Sequence, residues 1–193
     1  MSKGRLEAFS DGVIAILITI MVFDLKAPLG TDWDALRPLR DAFLSYVLSF
    51  LFLGIYWNNH HHMLQAATRV DGKVLWANLH LLFWLSLVPF VTSWQGGSGF
   101  ESAPTALYGS VMLGAAIAYT LLQRSITAVH GADSVLAAAV GKDLKGILSL
   151  LLYCLAIPLS FIHGGIAAGL YVFVALIWFV PDKRIESLVS NHK

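Results

Sequence analysis

The first apolar segment of the chain, residues 5–25, sets the strongest limit on what the sequence can fold into. A helix rises about 1.5 Å per residue, so about 20 residues span the roughly 30 Å hydrocarbon core of a bilayer. The segment has that length, yet its first half carries the carboxylic acid Asp11. A carboxylate on a membrane helix is costly unless it faces protein or water. The polar start of the segment is not that of a cleavable signal peptide.

The composition extends this reading to the whole chain, since 57% of the 193 residues are hydrophobic and 13% are charged. Isolated strands cannot satisfy their backbone in lipid, and no alternating barrel pattern is present. The sequence therefore predicts an all-α membrane protein, a single domain over residues 1–193 with six transmembrane helices per subunit. The apolar segments fall at about 5–25, 41–63, 73–94, 104–124, 144–162 and 164–181.

The lysines and arginines in the connections predict the orientation. If the N-terminus is cytoplasmic, that side receives ten of the 13 basic residues, and the other side receives only Lys26, Arg37 and Arg40. Cytoplasmic loops carry such an excess, so both termini are predicted to be cytoplasmic.

The longest connection, 125–143, contains Ala-rich helical sequence compatible with a helix along the membrane interface. A net charge of +1 without a long basic run argues against a nucleic-acid partner.

This orientation brings three polar clusters to one depth near the predicted cytoplasmic face. We expect them to form a hydrogen-bonded network, because buried polar groups in membranes need partners. Asp11 is interpreted as a structural member of this network, with proton sensing as the sharper alternative. The clusters comprise Arg5, Ser10 and Asp11 on the first segment, Trp57, Asn58, His60 and His61 on the second, and Asn78 on the third.

The helical period separates the first segment into two sides. At about 100° per residue, a row of residues lies within about 60° of the direction of Ile16, while Asp11 lies about 140° away. One side is thus a row of apolar residues with a single hydroxyl, and the Asp11 side chain points in another direction. The row consists of Phe9, Gly12, Ile16, Thr19, Ile20 and Phe23.

Several short motifs occur in order along the first half of the chain. They are Arg5-x-x-x-Phe9-Ser10-Asp11, Tyr56-Trp57-x-x-His60-His61, Arg69-Val70-Asp71-Gly72, Leu75-Trp76-x-Asn78-Leu79 and Pro89-Phe90. With them the chain resembles the transmembrane protein 175 family of potassium channels, in its prokaryotic single-repeat form. The resemblance implies a homotetramer around a central pore lined by the first helix.

The resemblance also implies roles for four residues of the row. The narrowest point of the pore falls on Ile16, and further apolar layers fall on Ile20 and Phe23. The hydroxyl that contributes to cation preference falls on Thr19. Apolar rings of this kind gate by excluding water. Two positions depart from the family pattern: Ala15 stands where a hydroxyl can occur, and Phe23 is bulkier than the usual aliphatic residue.

The sequence therefore predicts a potassium-permeable cation channel in the cell membrane of a prokaryote, a multi-pass protein whose partners are its own copies, the lipid bilayer and monovalent cations. A proton-conducting channel and a secondary transporter are the alternatives. A transporter would need polar groups and broken helices in both halves. An enzyme is not expected, since no nucleophile and base or paired carboxylates are apparent.

No resident cofactor or metal is expected besides the permeant potassium ion. His60, His61 and His62 are consecutive, so their side chains point about 100° apart on a helix and cannot share one ion. Pro89 and Pro158 are expected to kink their helices.

Overall fold

The computed structural model describes residues 2–130 and 143–179, and the helices account for nearly all of them. The predicted all-α membrane fold is confirmed; the orientation of the termini stays a prediction. Short 3₁₀ segments at Met21–Asp24 and Trp33–Leu39 flank the first connection. The helices are α1 Lys3–Ile20, α2 Arg40–Ala66, α3 Gly72–Ser86, α4 Val88–Gly97, α5 Ser102–His130, α6 Leu144–Ser160 and α7 Gly164–Phe179.

Four helical stretches are long and apolar enough to cross a membrane: Lys3–Asp24, Trp33–Ala66, Gly72–Gly97 and Ser102–His130. The remaining two, α6 and α7, are apolar helices of 17 and 16 described residues. Together these stretches correspond to the six apolar segments of the sequence, because α3 and α4 share the third.

The third segment divides at Leu87, which lies between α3 and α4. Pro89 has no backbone N–H and its ring clashes with the preceding turn, so a helix cannot run through it undisturbed. Its position in the first turn of α4 is the place in a helix that tolerates proline. The kink expected at Pro89 thus takes the form of a junction between two helices. Pro158, in contrast, lies within the last turn of α6, which continues through it to Ser160.

The fourth segment is longer than its apolar stretch, because α5 continues from the predicted end at residue 124 to His130. The first part of the proposed interfacial helix at 125–143 therefore belongs to α5, and residues 131–142 lie outside the described part of the chain. Residues 180 and 181, at the predicted end of the last helix, also lie outside the described part of the chain. Asp71 and Asp143 cap the starts of α3 and α6, and each side chain accepts the backbone N–H three residues further along the chain.

The core of the fold lies around α5, which packs most extensively against α3 and α6. Lipid offers no hydrophobic driving force for helix association, so close packing of small residues has to hold membrane helices together. Gly114 of α5 meets the Trp84 ring of α3, and an added Cβ at Gly114 would overlap that ring. Gly109 makes the same kind of approach to the Tyr171 hydroxyl of α7. These contacts require glycine because no other residue leaves the space.

Candidate functional site

One face of α1 and of the turn that follows it is left uncovered by the rest of the described chain. Ile16 is 60% exposed and Phe23 is 80% exposed, although both are large apolar side chains. A Cβ added at Gly12 would meet nothing within 4 Å. We call this surface the outward face. Its members are Phe9, Gly12, Ile16, Thr19, Ile20 and Phe23, the row that the helical period predicts.

The opposite side of α1 is packed against the bundle, with contacts mainly to α2 and α3. Its buried residues recur at helical spacing, so α1 is held firmly along its length and the outward face is held in a fixed direction. The buried residues are Leu6, Ser10, Ile14, Leu17 and Met21.

Thr19 supplies the one hydroxyl of the outward face. Its Oγ1 donates to the carbonyl oxygens of Ile16 at 2.9 Å and Ala15 at 3.1 Å. Because the hydroxyl hydrogen is directed at the helix backbone, the oxygen lone pairs remain free to accept a hydrogen bond from water or to coordinate a cation. Thr19 can therefore present an oxygen ligand among apolar neighbours.

A buried polar network ties the inner side of α1 to α2 and α3. The His60 Nε2 atom donates to Asn78 Oδ1 at 2.7 Å, and Asn78 Nδ2 donates to Ser10 Oγ at 2.9 Å. Ser10 Oγ in turn donates to the carbonyl oxygen of Leu6 at 2.9 Å. His60, Asn78 and Ser10 are all fully buried. Since Asn78 Oδ1 can only accept, His60 carries its proton on Nε2, and His60 Nδ1 has no partner among the described atoms.

A second set of contacts joins α1 to α2 in three rungs, each one helical turn from the next. Lys3 Nζ donates to the carbonyl oxygen of Gln65 at 3.1 Å. Glu7 Oε1 lies 3.3 Å from His61 Nδ1. Trp57 Nε1 donates to Asp11 Oδ1 at 3.0 Å. Because one member of each rung advances by four residues while the other recedes by four, the two helices run antiparallel in a fixed register.

The structure thus brings together most of the predicted polar cluster, in two separate groups. Ser10, His60 and Asn78 form the buried network, while Asp11, Trp57 and His61 belong to the rungs. Arg5 and Asn58 are exposed, and neither side chain forms a hydrogen bond or ion pair with the described residues. Within residues 2–130 and 143–179, no three His, Cys, Asp or Glu residues are placed to hold a metal ion.

Sequence reasoning missed Glu7 as a partner of this region. The signal was available, because Glu7 and Asp11 lie four residues apart and therefore on one side of α1. It also missed a second buried cluster at the far end of the bundle, where α2, α4 and α5 meet. There Thr92 Oγ1 donates to Ser49 Oγ at 2.6 Å, and Ser49 Oγ lies 3.0 Å from the Tyr108 hydroxyl.

Comparisons with known proteins agree with this architecture. Residues 5–89, which include the outward face and the buried network, match the family described as endosomal/lysosomal potassium channel TMEM175. The chain is 53% identical over 192 residues to a protein of Chryseobacterium sp. named as a potassium channel, with 100% of both chains covered. It is 32% identical to a Streptomyces collinus protein that is also named as a potassium channel, with 91% of each chain covered.

A solved structure is similar in fold. It is the crystal structure of a lysosomal potassium-selective channel TMEM175 homolog from Chamaesiphon minutus, with a TM-score of 0.81 and 27% sequence identity, covering 93% of this chain and 97% of that one. The apolar helices and these relatives define a multi-pass membrane protein. Within that class, the chain belongs to the TMEM175 family.

Proposed function

We propose that this protein is a potassium-permeable cation channel, in which copies of the chain surround a central pore lined by the outward face of α1. The observation that carries the proposal is the uneven burial of α1. Its inner side is packed and hydrogen-bonded, while large apolar side chains on the outward face have no partner in the described chain. Full-length relatives that are named as potassium channels support it.

The proposed constriction consists of rings of Ile16, Ile20 and Phe23, one residue from each subunit. Narrow apolar rings exclude water and therefore block ions until the helices move apart. Thr19 places its oxygen between the Ile16 and Ile20 rings, where a partly dehydrated cation would need a ligand. Asp24 is exposed just beyond Phe23 and would raise the local cation concentration at that mouth.

The proposed assembly is a homotetramer in the cell membrane. An apolar helix face that is fixed in direction can contact either lipid or other protein, and equivalent faces brought together by closed symmetry line an axis. We expect the channel to work without a resident cofactor and without a catalytic step. Potassium is the ion that we expect it to transport. The four subunits are testable by cross-linking in native membranes.

Cation flux from proteoliposomes tests the proposal. Vesicles containing wild-type protein, Ile16→Ala or Ile16→Trp are compared under potassium, sodium and proton gradients. We expect potassium flux in the wild type, a larger flux for Ile16→Ala, and a loss of more than about tenfold for Ile16→Trp, because the larger ring fills the constriction.

Ile166 on α7 provides the matched control, because it is an exposed isoleucine far along the chain from α1. Ile166→Ala and Ile166→Trp should leave the flux within about twofold of wild type, since lipid accommodates either side chain. Flux carried by protons but not by potassium would contradict the proposal in favour of a proton channel. Flux that is the same in the wild type and in both Ile16 variants would mean that Ile16 on α1 does not form the constriction.

A further inference from the structure

A surface cleft of about 590 Å³ lies between the start of α3 and the last turns of α5. Arg69, Lys73 and Arg124 line it, together with the single acid Asp71. The three cationic side chains are exposed, and none of them forms an ion pair with the described residues. Asp71 Oδ1 is already engaged as the cap of α3, where it accepts the Val74 N–H at 2.9 Å. The described residues that line the cleft therefore carry an excess of positive charge.

Two arginines at the other end of the bundle are paired with carboxylates. Arg37 lies 2.9 Å from Asp34, and Arg40 lies 3.0 Å from Asp41. These two arginines have carboxylates within reach in the described part of the chain, unlike Arg69 and Arg124. The cleft combines three cations with one occupied carboxylate, which is the composition expected of an anion-binding site.

The loop that carries Arg69 is fastened to α5 by His130. The backbone N–H groups of Thr68 and Arg69 donate to His130 Nε2 at 2.8 and 3.3 Å, and His130 Nδ1 lies 2.8 Å from the Ile126 carbonyl oxygen. The neutral tautomer with its proton on Nδ1 satisfies all of these contacts. Arg69 and Arg124 are consequently held on the same cleft by the fold itself.

Part of the wall of the cleft is apolar, which sets a second requirement for its ligand. Val70, Leu121 and Val129 line it. The apolar surface of Leu121 continues along α5 to the exposed Ile117, one helical turn earlier in the chain. Trp76, one turn beyond Lys73 on α3, is 75% exposed. Exposed tryptophan beside lysine and arginine is typical of the membrane interface. A ligand in this cleft would meet cations at one end and an apolar surface at the other.

We propose that this cleft binds the headgroup of an anionic glycerophospholipid, with the phosphate between Arg69, Lys73 and Arg124 and an acyl chain along Leu121 and Ile117. The cleft lies at the end of the bundle where α1 begins, since Lys3 contacts Gln65 at the end of α2 and α3 starts seven residues later. A lipid there would brace α3, which packs against α1, to α5.

Native mass spectrometry of the intact full-length protein tests this inference. The protein is titrated with phosphatidylglycerol and with phosphatidylcholine, and the two apparent Kd values are compared. Lysine and arginine attract anionic lipid headgroups, so the triple variant Arg69→Gln, Lys73→Gln, Arg124→Gln should weaken phosphatidylglycerol binding about tenfold or more. Phosphatidylcholine binding should change much less, because the same three side chains repel the choline cation that neutralises its phosphate.

The matched control removes the same charge from the opposite end, through Lys26→Gln, Arg37→Gln and Arg40→Gln, and should change the affinity by less than about twofold. Equal losses in both triple variants would show non-specific attraction and overturn the inference, as would an unchanged triple variant of the cleft. Displacement of the lipid by millimolar inorganic phosphate would also overturn it, because the site would then take a free anion.

Helical content from circular dichroism verifies that each variant is folded. If the triple variant of the cleft is unfolded, Arg124→Gln alone carries the test, because its exposed side chain forms no hydrogen bond or ion pair with the described residues. Arg124→Lys should restore most of the affinity, since it returns the charge.

Discussion

α1 and α5 are both apolar helices long enough to cross a membrane, but they are used in opposite ways. In the most apolar stretch of α5, 61% of the residues are buried inside the chain, whereas in the corresponding stretch of α1 only 28% are. α5 surrounds itself with other helices through Gly109 and Gly114, which allow close approach. α1 instead anchors one side and leaves the other uncovered.

This difference shows which helix contacts one subunit makes by itself. Most of α5 is packed within the subunit, so its sequence is constrained mainly by that packing. The outward face of α1 is constrained by something outside the subunit, which we propose to be the other copies and the ions between them. Mutations should therefore affect the fold when they touch α5 or the inner side of α1, and conduction when they touch the outward face.

The largest effect is expected on the inner side of α1, at Asn78. Asn78→Ala leaves His60 Nε2 without its acceptor and leaves Ser10 Oγ with only its bond to the Leu6 carbonyl oxygen. An unpaired buried group costs about 1–3 kcal/mol. We expect the midpoint of thermal unfolding in detergent to fall by about 5–10 °C. Asn58→Ala is the control, because its exposed side chain has no hydrogen bond within the described residues; a similar fall there would contradict the role of the buried network.

The next effect compares one glycine on each helix. Gly114→Ala forces a methyl group into the Trp84 ring and should cost about 1–3 kcal/mol. Gly12→Ala adds the same methyl group to an open surface and should stabilise the subunit by about 0.5–1 kcal/mol. The folded yield by size-exclusion chromatography measures both. Equal losses would mean that the outward face of α1 is packed within the subunit after all.

A smaller effect is expected at the third rung between α1 and α2. Trp57→Phe removes the donor to Asp11 and should cost about 1 kcal/mol, seen as a lower unfolding midpoint. Asp11→Asn keeps an oxygen acceptor and should be tolerated better. If Asp11→Asn instead abolishes an acid-dependent current while the protein stays folded, Asp11 carries protons and its structural interpretation is wrong.

The smallest effect is expected at Thr19. Thr19→Val keeps the shape of the side chain and removes its oxygen, so the fold should be unaffected. Reversal potentials in planar bilayers should show the potassium to sodium permeability ratio change by about twofold or more, because a ligand for the cation is lost. Thr127→Val on α5, whose hydroxyl also donates to its own helix, should leave the ratio unchanged.

The outward face was predictable because it depends on one helix only. The period of 3.6 residues fixes which side chains of α1 share a side, whatever that helix packs against. The junction at Pro89 was predictable for a similar reason, since proline lacks the N–H that the helix needs.

The polar partners were harder to predict because they depend on the register between helices. Asn58 and His60 lie two residues apart on α2 and therefore point about 200° apart. The rotation of α2 about its own axis decides which of them meets Asn78, and hydropathy alone does not fix that rotation. The extension of α5 to His130 was missed because its last two turns mix polar residues with apolar ones, although the contact of His130 with Thr68 holds them. Hydropathy locates the apolar part of a helix, and tertiary contacts determine where the helix ends.

Cysteine accessibility tests the central claim most directly. In a Cys154→Ser background, Thr19→Cys and Ile20→Cys on the outward face are compared with Leu17→Cys and Met21→Cys on the inner side, during potassium flux into vesicles. We predict that a charged, water-soluble thiosulfonate blocks flux through the first two variants and leaves the last two unaffected. Block at Leu17 or Met21, or no block at any of the four positions, would contradict a pore lined by the outward face of α1.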